Sequence, residues 1–185
     1  DEVEDLIRRL EESTKDVAKK VDDTIDESRK STKDVAEAVK RSIDEVRRVV
    51  REVEERVRRI EDRKTIEELL DRLRKILEDA HRTNKRLVEE NNKVSREVHE
   101  TNKRLVTENE KVVRTVLREV EKKITDDRIR DEIRKVVERA KERTKELEDK
   151  SKEVNDRNRE TSERLKKESE DVVREVKKEL DRIRK

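Results

Sequence analysis

HRTNKRLVEENNKVSREV (residues 81–98) is followed at once by HETNKRLVTENEKVVRTV (99–116), so the chain states one phrase twice, from His81 and again from His99. The step from one to the other is about 18 residues, or five turns of α-helix at roughly 3.6 residues per turn. A strict seven-residue repeat would wind helices into a left-handed supercoil, whereas a period of 3.6 lets them run straight. Within the phrase, His81, Asn84, Leu87, Val88, Asn91, Val94 and Val98, then His99, Asn102, Leu105, Asn109 and Val112, recur in steps that are mostly three and four. Such steps share one helix face. The face therefore alternates apolar layers with hydrogen-bonding ones.

The same period returns on both sides. STKDVAKKVDDTIDES (13–28) aligns with STKDVAEAVKRSIDEV (31–46), and Leu147, Ser151 and Val154 return as Leu165, Ser169 and Val172. Three segments with one helical period predict three helices packed side by side.

Composition narrows the class. Of 185 residues, 57% are charged and 28% hydrophobic, and Gly, Pro, Cys, Met and all aromatics are missing. Average usage would supply roughly 7% Gly and 5% Pro. Strands lack every signal here: aromatics, Gly or Pro turns, period-two runs. High charge with few apolar residues can mean disorder. Against that, 54 basic and 52 acidic residues nearly cancel to +2, and the apolar residues are periodic. No cysteine means no disulfide framework. Apolar runs stop at pairs such as Val49-Val50, too short to span a bilayer. The opening DEVEDLIRRL lacks the continuous apolar stretch of a signal peptide, so a soluble chain without a targeting signal is expected.

The expected fold is all-α: three long, straight, antiparallel (up-down-up) helices over about 2–61, 66–123 and 126–184, making a three-helix bundle in one domain, 1–185. Each rod would be roughly 85–90 Å long. Ala18, Ala36 and Ala38 flank the first stripe and allow close approach. The opposite face carries acid-before-base pairs such as Asp16/Lys20, Glu37/Arg41, Asp44/Arg48 and Glu52/Arg56, each adding roughly 0.2–0.5 kcal/mol to a helix. Thr65-Ile66-Glu67-Glu68 has the form of a capping box, and Asp62 is the candidate for a left-handed turn residue. At the second turn, Thr125 is the candidate cap, with Ile124 and Ile129 as a staple.

Antiparallel hairpins make facing residue numbers sum to a constant, near 126 about the first turn and near 250 about the second. His99 then faces Ser28 and Ser151; His81 faces Ser169, with Ser42 a turn away; Asn102 faces Thr24, Asn84 faces Ser42, and Asn91 faces Asn158. With Asn109, these residues form a candidate structural polar network. Its motive is specificity: an unpaired buried polar group costs about 1–3 kcal/mol, so registers that separate the partners are penalised.

On these features the chain resembles de novo designed helical bundles with buried hydrogen-bond networks. The resemblance covers the whole length. It rests on the repeat, the His/Asn/Ser/Thr layers and the Gly-free composition, which are features of style. It implies a scaffold: a monomeric bundle, a building block for heterodimers or switchable cages, or an oligomer subunit.

Functional alternatives are thin. His81 and His99 would lie roughly 27 Å apart on one helix and cannot share an ion. There is no Cys and no HExxH spacing, so no metal site is expected. A neutral imidazole bonded to Ser or Thr is the plainer role, and pH sensing is its rival. Mid-helix Ser and Thr lack the elbow and oxyanion donors of a nucleophile, so no catalytic residue and no cofactor are expected. Basic residues interleave with acids and no aromatic is present to stack on bases, which speaks against nucleic acid. Membrane-surface binding would need Trp or Phe anchors. The leading reading is a monomeric designed scaffold requiring no partner. The alternative is a self-assembling or helix-accepting interaction subunit, pH-responsive through buried His.

Overall fold

The computed structural model describes residues 2–184, with the side chain of Arg184 left out; residues 1 and 185 of the expected domain lie outside the described residues. Three helices account for nearly all of it: α1 (Glu2–Arg59), α2 (Arg63–Lys123) and α3 (Asp127–Arg184). No described residue is in a strand. The molecule is a three-helix bundle.

The connections are three residues each, and both read Ile-x-Asp: Ile60-Glu61-Asp62 and Ile124-Thr125-Asp126. The sequence pattern predicts α1 to residue 61 and α2 from 66, with Thr65 as its cap. The structure corrects this. Asp62 caps α2, its Oδ1 accepting from the Lys64 amide at 3.2 Å and its Oδ2 from the Thr65 hydroxyl at 2.9 Å. A carboxylate serves better because it accepts at both oxygens and suits the positive end of the helix dipole. Asp62 is also no left-handed turn residue, since no described residue has positive φ. That is how both turns dispense with glycine.

At the second turn Asp126, not Thr125, is the cap; its Oδ1 accepts from the Arg128 amide at 2.9 Å. Arg130 reaches back from α3, donating to the carbonyls of Ile124 (2.5 Å) and Glu121 (2.8 Å). Those carbonyls have no intrahelical donor at a helix end, and a cation there complements the dipole.

Contacts group the chain into two compact units, each drawing on all three helices. The first comprises Asp1–Arg29 and Val94–Arg157, the second Lys30–Lys93 and Asn158–Lys185. The first holds two apolar clusters. One packs Leu6 and Leu10 against Val113, Val116, Ile133 and Val137; the other packs Val17, Val21 and Ile25 against Val106, Leu147 and Val154. The second unit is built on Val39, Val46, Leu70, Leu73, Leu77, Leu165, Val172 and Leu180. Burying such a Val or Leu is worth roughly 1.5–3 kcal/mol. Val94, expected on the buried face, is 48% exposed, and Ile76 is 47% exposed. Ile76 precedes buried Leu77 and Val94 precedes buried Ser95, so each lies one position off the buried stripe.

Charge lies on the outside, as pairs between exposed side chains. Asp16–Lys20 forms at 3.1 Å. Arg48 pairs with Glu45 and Glu52 rather than Asp44. Exposed pairs of this kind are worth about 0–1 kcal/mol and do not decide the fold.

Candidate functional site

Most polar residues of the stripe come together in two kinds of layer, and each of these kinds occurs once in each unit. The simpler kind is an asparagine held by a Ser-Thr dipeptide. In the first unit the Ser13 hydroxyl donates to Asn109 Oδ1 at 2.5 Å, and Asn109 Nδ2 donates to Thr14 Oγ1 at 3.1 Å. In the second unit Ser31 donates to Asn91 Oδ1 at 2.6 Å, and Asn91 Nδ2 donates to Thr32 Oγ1 at 2.9 Å. A carboxamide offers one acceptor and one donor end, and adjacent hydroxyls on the facing helix use both. Asn109 and Asn91 are 1% and 6% exposed, so water cannot do this work for them. In the first unit the partner numbers in α2 fall from Asn109 to Asn102 as those in α1 rise from Ser13 to Thr24, the pattern of an antiparallel pair.

The second kind joins His and Asn of α2 to a serine of α3. Ser151 Oγ lies 2.8 Å from His99 Nδ1 and accepts from Asn102 Nδ2 at 3.1 Å. Asn102 Oδ1 in turn accepts from Thr24 of α1 at 2.9 Å, so this layer ties all three helices. In the second unit Ser169 Oγ lies 2.8 Å from His81 Nδ1 and accepts from Asn84 Nδ2 at 3.3 Å. Each serine oxygen receives an amide proton, and the direction of its bond to the imidazole follows the ring's tautomer. A neutral ring with its hydrogen on Nε2 accepts the serine proton at Nδ1, and one with its hydrogen on Nδ1 donates to the serine oxygen.

A serine hydroxyl in hydrogen-bond contact with an imidazole is also the arrangement of a nucleophile and its base. Its surroundings here are those of a packed helix interior. Ser151 and Ser169 are each 3% exposed, and the asparagine donating to each oxygen occupies one of its two lone pairs. Mid-helix amides are spent on carbonyls four residues back, leaving nothing to hold an oxyanion. Burial holds His99 below the usual histidine range, and Lys103 lowers it further, against Glu100, Asp156 and Glu148, which act the other way. Among the described residues no group of three His, Cys, Asp or Glu could hold a metal ion. Among them, too, no helix is long and apolar enough to cross a membrane.

The remaining candidates from the sequence fall as follows. Ser28 and Asn158 are buried. Two expected pairings are corrected. Asn91 is spent on Ser31 and Thr32 of α1 rather than on Asn158 of α3. Asn84 bonds Ser169 and not Ser42, which stays half-buried. Ser42 stands one repeat after Thr24 but lacks the methyl that fixes the threonine rotamer. Facing numbers fix the level along the axis but not the direction around it, and these two pairings turn on direction.

Sequence reasoning leaves Ser13, Thr14, Ser31 and Thr32 out of the network, although the STKDV phrase at 13 and 31 carries them at the repeat spacing. It misses Asn155 as well, whose Oδ1 accepts from Ser95 at 3.0 Å. Asn155 has no counterpart one repeat on, where Val173 stands. Among the described residues, Asn92 Oδ1 is buried without a hydrogen-bond partner.

No protein-family model matches the chain, and no curated protein matches it either. Among solved structures the chain is similar to one described as "Computationally designed three helix bundle". The two are 20% identical with a TM-score of 0.41, over 98% of this chain and 87% of that one.

Proposed function

We propose that this chain is a designed structural scaffold, an up-down-up bundle whose buried polar layers serve to fix one alignment of its helices. The observation that carries this is the duplication of the Asn109 layer as the Asn91 layer, bond for bond and atom for atom. An active site is needed once; a device for register gains from being repeated along a rod. Composition supports the same reading. A chain of 185 residues without Gly, Pro, Cys, Met or any aromatic uses strong helix formers where packing is silent, and few apolar types where it is not. The reading assigns the protein no catalytic role, and its working form is the monomer.

The test replaces the polar layers with apolar residues: Asn84, Asn91, Asn102 and Asn109 to Leu, with the facing Ser and Thr to Ala and Val. A specificity role predicts that this variant stays helical and melts higher, but loses its single solution state. Sedimentation should show the parent as one species of 22.3 kDa and the variant as a mixture. A variant that remains one monomeric species, with one set of amide signals by NMR, would refute the reading.

A further inference from the structure

We propose that the α1–α3 cleft of the first unit binds an amphipathic anion: a compact apolar body carrying one sulfonate, sulfate or carboxylate. The cleft encloses about 410 Å³, and Leu10, Thr14, Ala18, Val136 and Ala140 form its walls. Ala18 and Ala140 are the reason it exists, because an alanine on each helix leaves a gap that a longer side chain would fill. Its volume is of the size usual for small-molecule sites.

Charge selects the occupant. The rim carries Lys15, Arg139 and Arg143 against a single acid, Glu11. Arg143 is already engaged by Asp22 and Glu146. Lys15 and Arg139 make no ion pair among the described residues, and both are exposed at the mouth. Two cations outside any such ion pair, beside an apolar wall, suit a ligand that is greasy at one end and anionic at the other.

The second unit supplies an internal comparison. Its α1–α3 cleft is larger, about 600 Å³, and has a similar floor of Ala36, Ile43, Leu165 and Val172. Its rim holds four acids, Asp44, Glu168, Asp171 and Glu175, against Lys40, Arg47 and Arg164. If apolar surface alone governed binding, the larger cleft would win. If charge decides, the smaller one does. This inference does not depend on the scaffold reading.

The probe is 8-anilinonaphthalene-1-sulfonate, titrated against the folded full-length chain with dye fluorescence as the readout. The expected result is saturable binding at one site, weakened about tenfold by Lys15→Glu with Arg139→Glu, since each exposed charge contributes roughly a factor of three. Ala18→Leu fills the cleft and should abolish binding. Reversing Lys40 and Arg164 to Glu in the other cleft should change nothing, and dodecyltrimethylammonium should not compete. Because Lys15 and Arg139 are exposed, their reversal leaves the helices intact, and circular dichroism checks this. Three outcomes overturn the proposal: no saturable signal, equal binding after the Lys15 and Arg139 reversals, or concentration-dependent dimers in which a second copy excludes the dye.

Discussion

Ser151 Oγ lies 2.8 Å from His99 Nδ1 while accepting from Asn102 Nδ2 at 3.1 Å, and this sets the imidazole against a polar layer of the bundle. Burial disfavours the charged ring, and His99 is held below its ordinary value near 6.5. A proton therefore binds the unfolded chain more readily than the folded one. The contribution is fully present above the unfolded pKa and is lost as pH falls through about 6.5 towards the folded value. Urea unfolding should give lower stability at pH 5 than at pH 7.5, and His99→Asn should reduce that difference. An unchanged difference in the variant would remove His99 as the cause.

The Asn91 layer should behave as one coupled set. Asn91→Ala removes a carboxamide that satisfies Ser31 and Thr32 and should cost about 1–3 kcal/mol. A double-mutant cycle with Thr32→Val should return a coupling of about 0.5–1.5 kcal/mol. The neighbouring Asn92, whose Oδ1 has no partner, provides the contrast: Asn92→Ala should be neutral or stabilising. Equal losses at 91 and 92 in denaturant melts would contradict the assignment.

One charge contact works against the fold at neutral pH. Glu54 of α1 and Glu179 of α3 face each other, and the hydrogen bond between their carboxyls, with burial and repulsion, raises Glu54 above the usual glutamate range while Arg58 pulls it down. The folded state keeps this proton longer than the unfolded one. Stability is therefore lost as pH rises through about 4.5 towards the folded value. Glu179→Lys replaces repulsion with attraction and should gain about 0.2–1 kcal/mol at pH 7, with the gain shrinking near pH 3.5. Guanidinium unfolding at both pH values measures it; a variant no more stable at pH 7 would disprove the clash.

The two turns should depend on their aspartates. Asp62→Ala and Asp126→Ala each remove the acceptor for an amide in the first turn of the following helix and should cost about 1 kcal/mol. Thr125→Ala, outside the cap, should cost little. Thermal melts of the three single variants decide between Asp126 and Thr125, and a larger loss at Thr125 would overturn the assignment.

Residue order alone carries the three helices, their near-equal lengths and the levels at which polar residues meet. Helical period is a local property, and short connections turn it into facing pairs: His81 with Ser169 and His99 with Ser151 both sum to 250. Which neighbour each carboxamide takes is settled only on packing. Asn91 and Asn84 each lie level with polar residues on both other helices, and the choice depends on the angle at which a side chain leaves its helix. The caps are settled there too, because Asp and Thr adjoin at Thr125-Asp126 and only the path of the backbone brings one of them to the open amides. Level is set by residue number, which the sequence contains; direction around the axis is set by packing on two other helices at once, which it does not.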